Sequence, residues 1–179
     1  STMTCLLNLN HLTHVNALNI IAIAIIFKEG MLLKLDDSIG FILNNAGRKV
    51  SHLLSIHFHP YGITLEQWTV LNRLAEQDGI NQKELSKRVG KDQTNVTRIL
   101  DQLERKGLAR RKPNTEDRRS FLAVITDEGN ALNQKLIPIE QEVIKTVLSG
   151  LSKNEIAQFR EILRKITETA NMQIEGLER

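Results

Sequence analysis

The sequence predicts a mainly α fold with a small β-wing. Apolar residues recur at spacings of three and four through most of residues 33–178, the period of an amphipathic helix. Two short strand-like runs, Leu108–Lys112 and Phe121–Ile125, break that pattern around the turn-rich Pro113-Asn114-Thr115-Glu116-Asp117. Positive charge collects in the same part of the chain. Residues 81–126 hold twelve Lys or Arg against six Asp or Glu, a net of +6, whereas residues 1–80 sum to −1 and residues 127–179 to −2. A basic segment between neutral or acidic ones points to a polyanionic partner, with a solvated charged surface as the alternative. The length of 179 residues fits one domain with a helical extension, and with 4% aromatic residues the core must be largely aliphatic.

Organised sequence begins at Met31. Before it, the apolar run Ala17–Phe27 has 11 residues, against the roughly 20 that a membrane span needs. No Lys or Arg precedes it, as a signal peptide requires. No membrane partner is therefore expected. Lys28-Glu29-Gly30 can be encoded by a purine-rich stretch resembling a ribosome-binding site. Residues 1–30 read as a non-native or upstream-translated extension, with an apolar helix that joins the core as the alternative. The single cysteine, Cys5, lies there. It excludes an intrachain disulfide and a cysteine-based zinc site and fits a reducing, cytoplasmic compartment.

Each element has a local cause. Leu35, Ile39, Ile42, Leu43, Ala46, Val50, Leu53 and Leu54 give a helix from Leu35 to Phe58, which Pro60 and Gly62 end. Thr64-Leu65-Glu66-Gln67 is a capping box opening a helix through Glu76 that buries Trp68, Leu71 and Leu74. Asn81-Gln82-Lys83-Glu84 reads as a second capping box, opening a short helix to Val89. Only Gly90-Lys91-Asp92 separates it from the helix Gln93–Lys106, which stops at Gly107. Such a tight connection marks a helix-turn-helix, and the two strands after it make a wing. Thr126 caps a helix through Leu148, which Pro138 should kink or interrupt. Ser152-Lys153-Asn154-Glu155 is a third capping box and opens the last helix.

On helix Gln93–Lys106, Val96, Ile99, Leu100 and Leu103 share one face that must pack on the domain. Thr94, Arg98, Asp101 and Arg105 lie opposite, with Gln93, Asn95 and Thr97 flanking the exposed face. Amide, hydroxyl and guanidinium groups at the N-terminal end of such a helix can read base edges in the major groove of double-stranded DNA. The candidate reading residues are Gln93, Thr94, Asn95, Thr97 and Arg98. On the wing, Arg110, Arg111, Lys112, Arg118 and Arg119 concentrate charge on a thin hairpin, and an Arg at its tip can enter a minor groove. Asp117 can hold Arg119 in place. A solvated helix face and a surface ion pair are the bland alternatives.

The runs Leu85-Ser86-Lys87-Arg88-Val89-Gly90, Asn95-Val96-Thr97-Arg98-Ile99-Leu100-Asp101-Gln102-Leu103-Glu104-Arg105-Lys106-Gly107-Leu108, Asp117-Arg118-Arg119-Ser120-Phe121-Leu122 and Thr126-Asp127-Glu128-Gly129 closely resemble the MarR family of bacterial regulators. The ordered motifs cover about Leu65–Gly129. The resemblance implies a winged helix-turn-helix over residues 63–126, with dimerisation helices at 31–62 and 127–179. It implies a homodimer on a pseudo-palindromic operator, usually a repressor released by a small-molecule effector, often aromatic. Asp117 and Arg119 match the family's wing motif. Phe58, Tyr61 and Trp68 are candidates for an effector pocket, although core packing explains Trp68 equally well.

Other chemistries find little support. From Met31 onward there is no cysteine for thiol sensing. His52, His57 and His59 do not share a helix face well and read as a polar helix end rather than a metal site. No phosphate-cradling loop, zinc-ligand pair or nucleophile elbow is visible, so neither an enzyme nor a cofactor is expected. A winged helix used only for protein contact is the competing function.

Overall fold

In the computed structural model, residues 35–117 and 119–177 are described. The expectations for residues 1–30, for Cys5 and for Arg118 lie outside them. Of the described residues, 35–45 fall in one compact unit and those from 46 to 177 in another. A 3-10 turn at Leu35–Asp37 precedes helix α1 (Ile39–Phe58), so the expected helix from Leu35 starts regular winding four residues later. A second 3-10 turn, His59–Tyr61, ends at Gly62 with φ 66°. Then follow α2 (Leu65–Glu76), β1 (Ile80–Asn81), α3 (Gln82–Val89), α4 (Gln93–Arg105), β2 (Ala109–Pro113), β3 (Phe121–Ile125), α5 (Asp127–Val147) and α6 (Lys153–Leu177).

The caps show which local signals decide the helix starts. At α2 the box is complete: Thr64 Oγ1 accepts from Gln67 N–H at 3.2 Å, and Gln67 Oε1 accepts from Thr64 N–H at 3.3 Å. At α6, Ser152 and Glu155 make the same reciprocal pair at 3.2 and 2.7 Å. The box expected at α3 forms only by half. Asn81 Oδ1 takes Glu84 N–H at 2.9 Å, while the Glu84 carboxylate pairs with Arg88 Nε at 3.3 Å. Asn81 also belongs to β1, a two-residue strand too short to leave an alternation in the sequence. It pairs with β3, giving the antiparallel order β1-β3-β2.

One core serves the helix-turn-helix and the sheet. Val96, Ile99, Leu100 and Leu103 of α4 are buried as the wheel predicted, with Leu71 and Leu74 of α2, Leu85 of α3, and Ala109 and Ala123 of the sheet. Trp68 is a correction: it is half-buried, and Val70 takes the fully buried place on α2. Trp68 packs edge-on against Phe58, ring centres 5.1 Å apart. Of the expected kink or interruption at Pro138, the interruption does not occur, since α5 runs through it from Asp127 to Val147. A proline removes one amide donor, and Leu136 and Val143, buried on either side of it, anchor the helix into the core.

Gly129 joins α5 to the base of the wing. A side chain there would overlap the Leu108 carbonyl oxygen. Thr126, the cap of α5, donates its hydroxyl to Gly107 O at 2.7 Å and its N–H to Leu108 O at 3.2 Å. The end of α4, the start of β2 and the start of α5 therefore meet as backbone against backbone, which only glycine permits at position 129.

Candidate nucleic-acid interface

The turn between α3 and α4 sets where α4 begins. Gly90 adopts φ 64°, a left-handed conformation that favours glycine. Lys91 N–H returns to Ser86 O at 3.1 Å, and the chain reverses into α4 within three residues. Asp92 then caps α4, its carboxylate accepting Asn95 N–H at 2.9 Å. That backbone bond, reinforced by the Asn95 side-chain amide, holds the Asp92 carboxyl below its ordinary pKa.

Four of the five candidate reading residues lie open. Gln93, Thr94, Asn95 and Arg98 are exposed on the first turns of α4, opposite its buried face. Arg98 Nη2 donates to Asn95 Oδ1 at 3.3 Å, so Asp92, Asn95 and Arg98 form a chain along that face. Thr97 is half-buried and already engaged. Its hydroxyl donates to Gln93 O at 2.8 Å and accepts from the Gln82 side-chain amide, which also donates to Gln93 O at 3.1 Å. Gln82 thus pins the first turn of α3 to the first turn of α4.

The wing residues divide by strand alternation. Arg110 and Lys112 are exposed, whereas Arg111 is half-buried, with its guanidinium on Asp101 Oδ1 at 2.7 Å and on Glu104. At the tip, Arg119 has a side chain 96% exposed, and its Nε lies 3.8 Å from Asp117 Oδ1. The same carboxylate oxygen accepts Arg119 N–H at 3.0 Å. Asp117 therefore shapes the tip through the backbone and leaves the guanidinium extended. Between the tip and the starts of α3 and α4 runs an open trough of about 630 Å³, lined by Gln82, Lys83, Gln93, Asn114, Arg119 and Phe121 among others.

The MarR family model matches residues 63–121, the segment that builds this surface. The HTH-type transcriptional regulator PapX of Escherichia coli is 30% identical over 142 residues, which cover 78% of this chain and 82% of PapX. The chain belongs to the MarR family. It is a transcriptional regulator, not an enzyme, and its fold is the family's winged helix. A cysteine-to-serine mutant of MarR from Escherichia coli, crystallised with operator DNA, is similar to it at a TM-score of 0.71 and 28% identity, covering 75% of this chain and 97% of that one. CouR from Rhodococcus jostii, bound to p-coumaroyl-CoA, is similar at a TM-score of 0.68 and 27% identity, covering 75% and 94%.

The MarR-family domain also uses polar residues that the sequence pattern left unmarked as ties. Gln67 is buried, and its amide donates to Gln102 Oε1 at 2.8 Å. Lys106 Nζ, at the end of α4, reaches Gln67 Oε1 at 2.7 Å and Gly62 O at 2.6 Å. The signal for Gln67 was its place in the capping box; nothing in the spacing indicates its second partner.

Of the three effector candidates, the structure brings Phe58 and Trp68 together and leaves Tyr61 apart. Phe58 is fully buried against Trp68, and Tyr61 is exposed. The apolar groove of about 530 Å³ between α1 and α5 is lined instead by Leu53, His57, Pro138, Ile139, Glu142, Val143 and Thr146. No helix among the described residues is long and apolar enough to cross a membrane.

Proposed function

We propose that this MarR-family regulator is a cytoplasmic homodimer that reads a pseudo-palindromic operator through α4 and the wing, as a repressor released by a small molecule. The observation that carries the reading is the trough that Gln93, on the exposed polar first turn of α4, lines together with Arg119 at the wing tip. On the wing, Arg110 and Lys112 are exposed as well. Short polar side chains at a helix N-terminus suit base edges, and basic side chains on a hairpin suit phosphates and a minor groove. The likeness to MarR in complex with operator DNA supports the same use of the surface.

Helix α6 supports the dimer. It has 25 residues and buries none of them, while Phe159, Ile162, Ile166, Met172 and Ile174 remain more than 40% exposed. An apolar stripe of that length needs cover. We assign residues 31–62 and 127–179 to dimerisation and 63–126 to DNA binding. An aromatic or similarly apolar effector fits the groove between α1 and α5, and the p-coumaroyl-CoA bound by CouR supports that chemical class.

Selection of duplexes from a random DNA library by the purified protein tests the reading. Enrichment of a site with two inverted halves is expected. No enrichment at low salt would overturn it in favour of a protein-contact module.

A further inference from the structure

Arg111 lies on the basic strand of the wing, between the exposed Arg110 and Lys112, yet its side chain turns inward onto α4. Nη2 donates to Asp101 Oδ1 at 2.7 Å and approaches Thr97 O at 3.4 Å, and Nη1 pairs with Glu104. Glu104 Oε1 also accepts the Arg111 backbone N–H at 2.7 Å. Thr97, Asp101 and Glu104 succeed one another at i, i+4 and i+7, on one face of α4. One side chain therefore spans two turns of the reading helix and ties them to the middle of β2. As the edge strand of the sheet, β2 has no strand neighbour on its outer side. There α4 packs against it, and Glu104 takes the Arg111 backbone N–H.

We propose that Arg111 is a positioning residue: it fixes the angle of the wing against α4 and does not contact the DNA backbone. The inference rests on the DNA reading above. Two carboxylates beside a polyanion weaken its binding by charge alone. Asp101 and Glu104 make physical sense there as the holders of a forked guanidinium, which matches carboxylates two at a time. For Arg111 to reach a phosphate, it would have to break these charge-assisted bonds and leave two unpaired carboxylates beside the DNA. Arg119, with its side chain 96% exposed and its Nε 3.8 Å from Asp117, carries no such restraint.

The sign of one substitution decides. Glu104→Gln removes negative charge with little change of shape, so electrostatics alone predicts equal or tighter DNA binding. The proposal predicts the reverse. The measurement is equilibrium binding to the selected duplex and to a scrambled one across a salt series. Hydrogen exchange of residues 109–125 in the free protein accompanies it. Glu104→Gln and Arg111→Ala should each weaken the selected duplex about tenfold, with the wild-type salt slope and faster exchange in the wing. Arg111→Lys, which keeps the charge but loses the fork, should recover only part of the loss. Tighter or unchanged binding by Glu104→Gln overturns the proposal. So does a salt slope lowered by about one in Arg111→Ala, the mark of a lost phosphate contact. Should Arg111→Ala fail to fold, Glu104→Gln still decides. Wild-type protein that binds neither duplex contradicts the DNA reading itself. Wing exchange in Glu104→Gln then decides alone: faster exchange upholds the positioning role, and unchanged exchange ends it.

Discussion

Helices α4 and α6 carry the same pattern of apolar spacing and meet different fates. In α4, 13 residues bury Val96, Ile99, Leu100 and Leu103 against α2, α3 and β2. In α6, 25 residues bury none. Periodicity states that a face must be covered; it does not state by what. For α4 the cover is the chain's own core, and the opposite polar face is left free to read a ligand. For α6 no cover is found among the described residues, and the proposed dimer would use its apolar face as the contact.

The largest effect should come from breaking the first case. Leu103→Ala removes a fully buried side chain, and it should cost about 4 kcal/mol in urea unfolding, whatever the protein concentration. Gly129→Ala should cost about 3 kcal/mol in the same assay, because the backbone must yield where α5 meets the Leu108 carbonyl. The contrast in α6 is one of kind. Ile162→Glu should raise the dimer dissociation constant at least about tenfold in analytical ultracentrifugation. It should leave unfolding of the winged domain in the monomer unchanged. A wild-type protein that sediments as a monomer would break the comparison outright.

Smaller effects sharpen the free face of α4 and the wing beside it. Arg119→Ala should weaken binding about tenfold on selected and scrambled duplexes alike, with the dimer intact in ultracentrifugation. Arg98→Ala should instead cost about 1–3 kcal/mol on the selected duplex and little on the scrambled one. The smallest expected effect is a pH dependence. Asp92 has its folded-state pKa lowered by the Asn95 bonds, so its cap contributes fully above the ordinary carboxylate range and is lost as pH falls through the lowered value. In Asp92→Asn, NMR shifts at the start of α4 should lose that acid-side titration.

The fold was largely legible because its determinants are local. Capping residues, glycine stops and the wheel of α4 placed every helix to within a few residues, and the Asp117–Arg119 motif located the wing tip. What escaped was set by distant partners. The two-residue β1 exists only because β3 pairs with it. Trp68 packs on Phe58 yet is only half-buried, while Val70 of the same helix is fully buried. Among the basic residues of the wing, sequence could not separate Arg111, paired with Asp101 and Glu104, from Arg110 and Lys112, which are exposed. Charge is visible in a sequence; its partner ten or seven residues away is not. Thr97 illustrates the same limit, since its hydroxyl is held by Gln82 and Gln93.

A salt titration of wild-type binding to the selected duplex tests the central claim most directly. The free face of α4 and the exposed wing residues predict a steep, linear fall of log K with log salt. They also predict a clear preference over the scrambled duplex at every salt concentration. Absence of binding at low salt, or equal affinity for both duplexes, would contradict the assignment of this surface to operator reading.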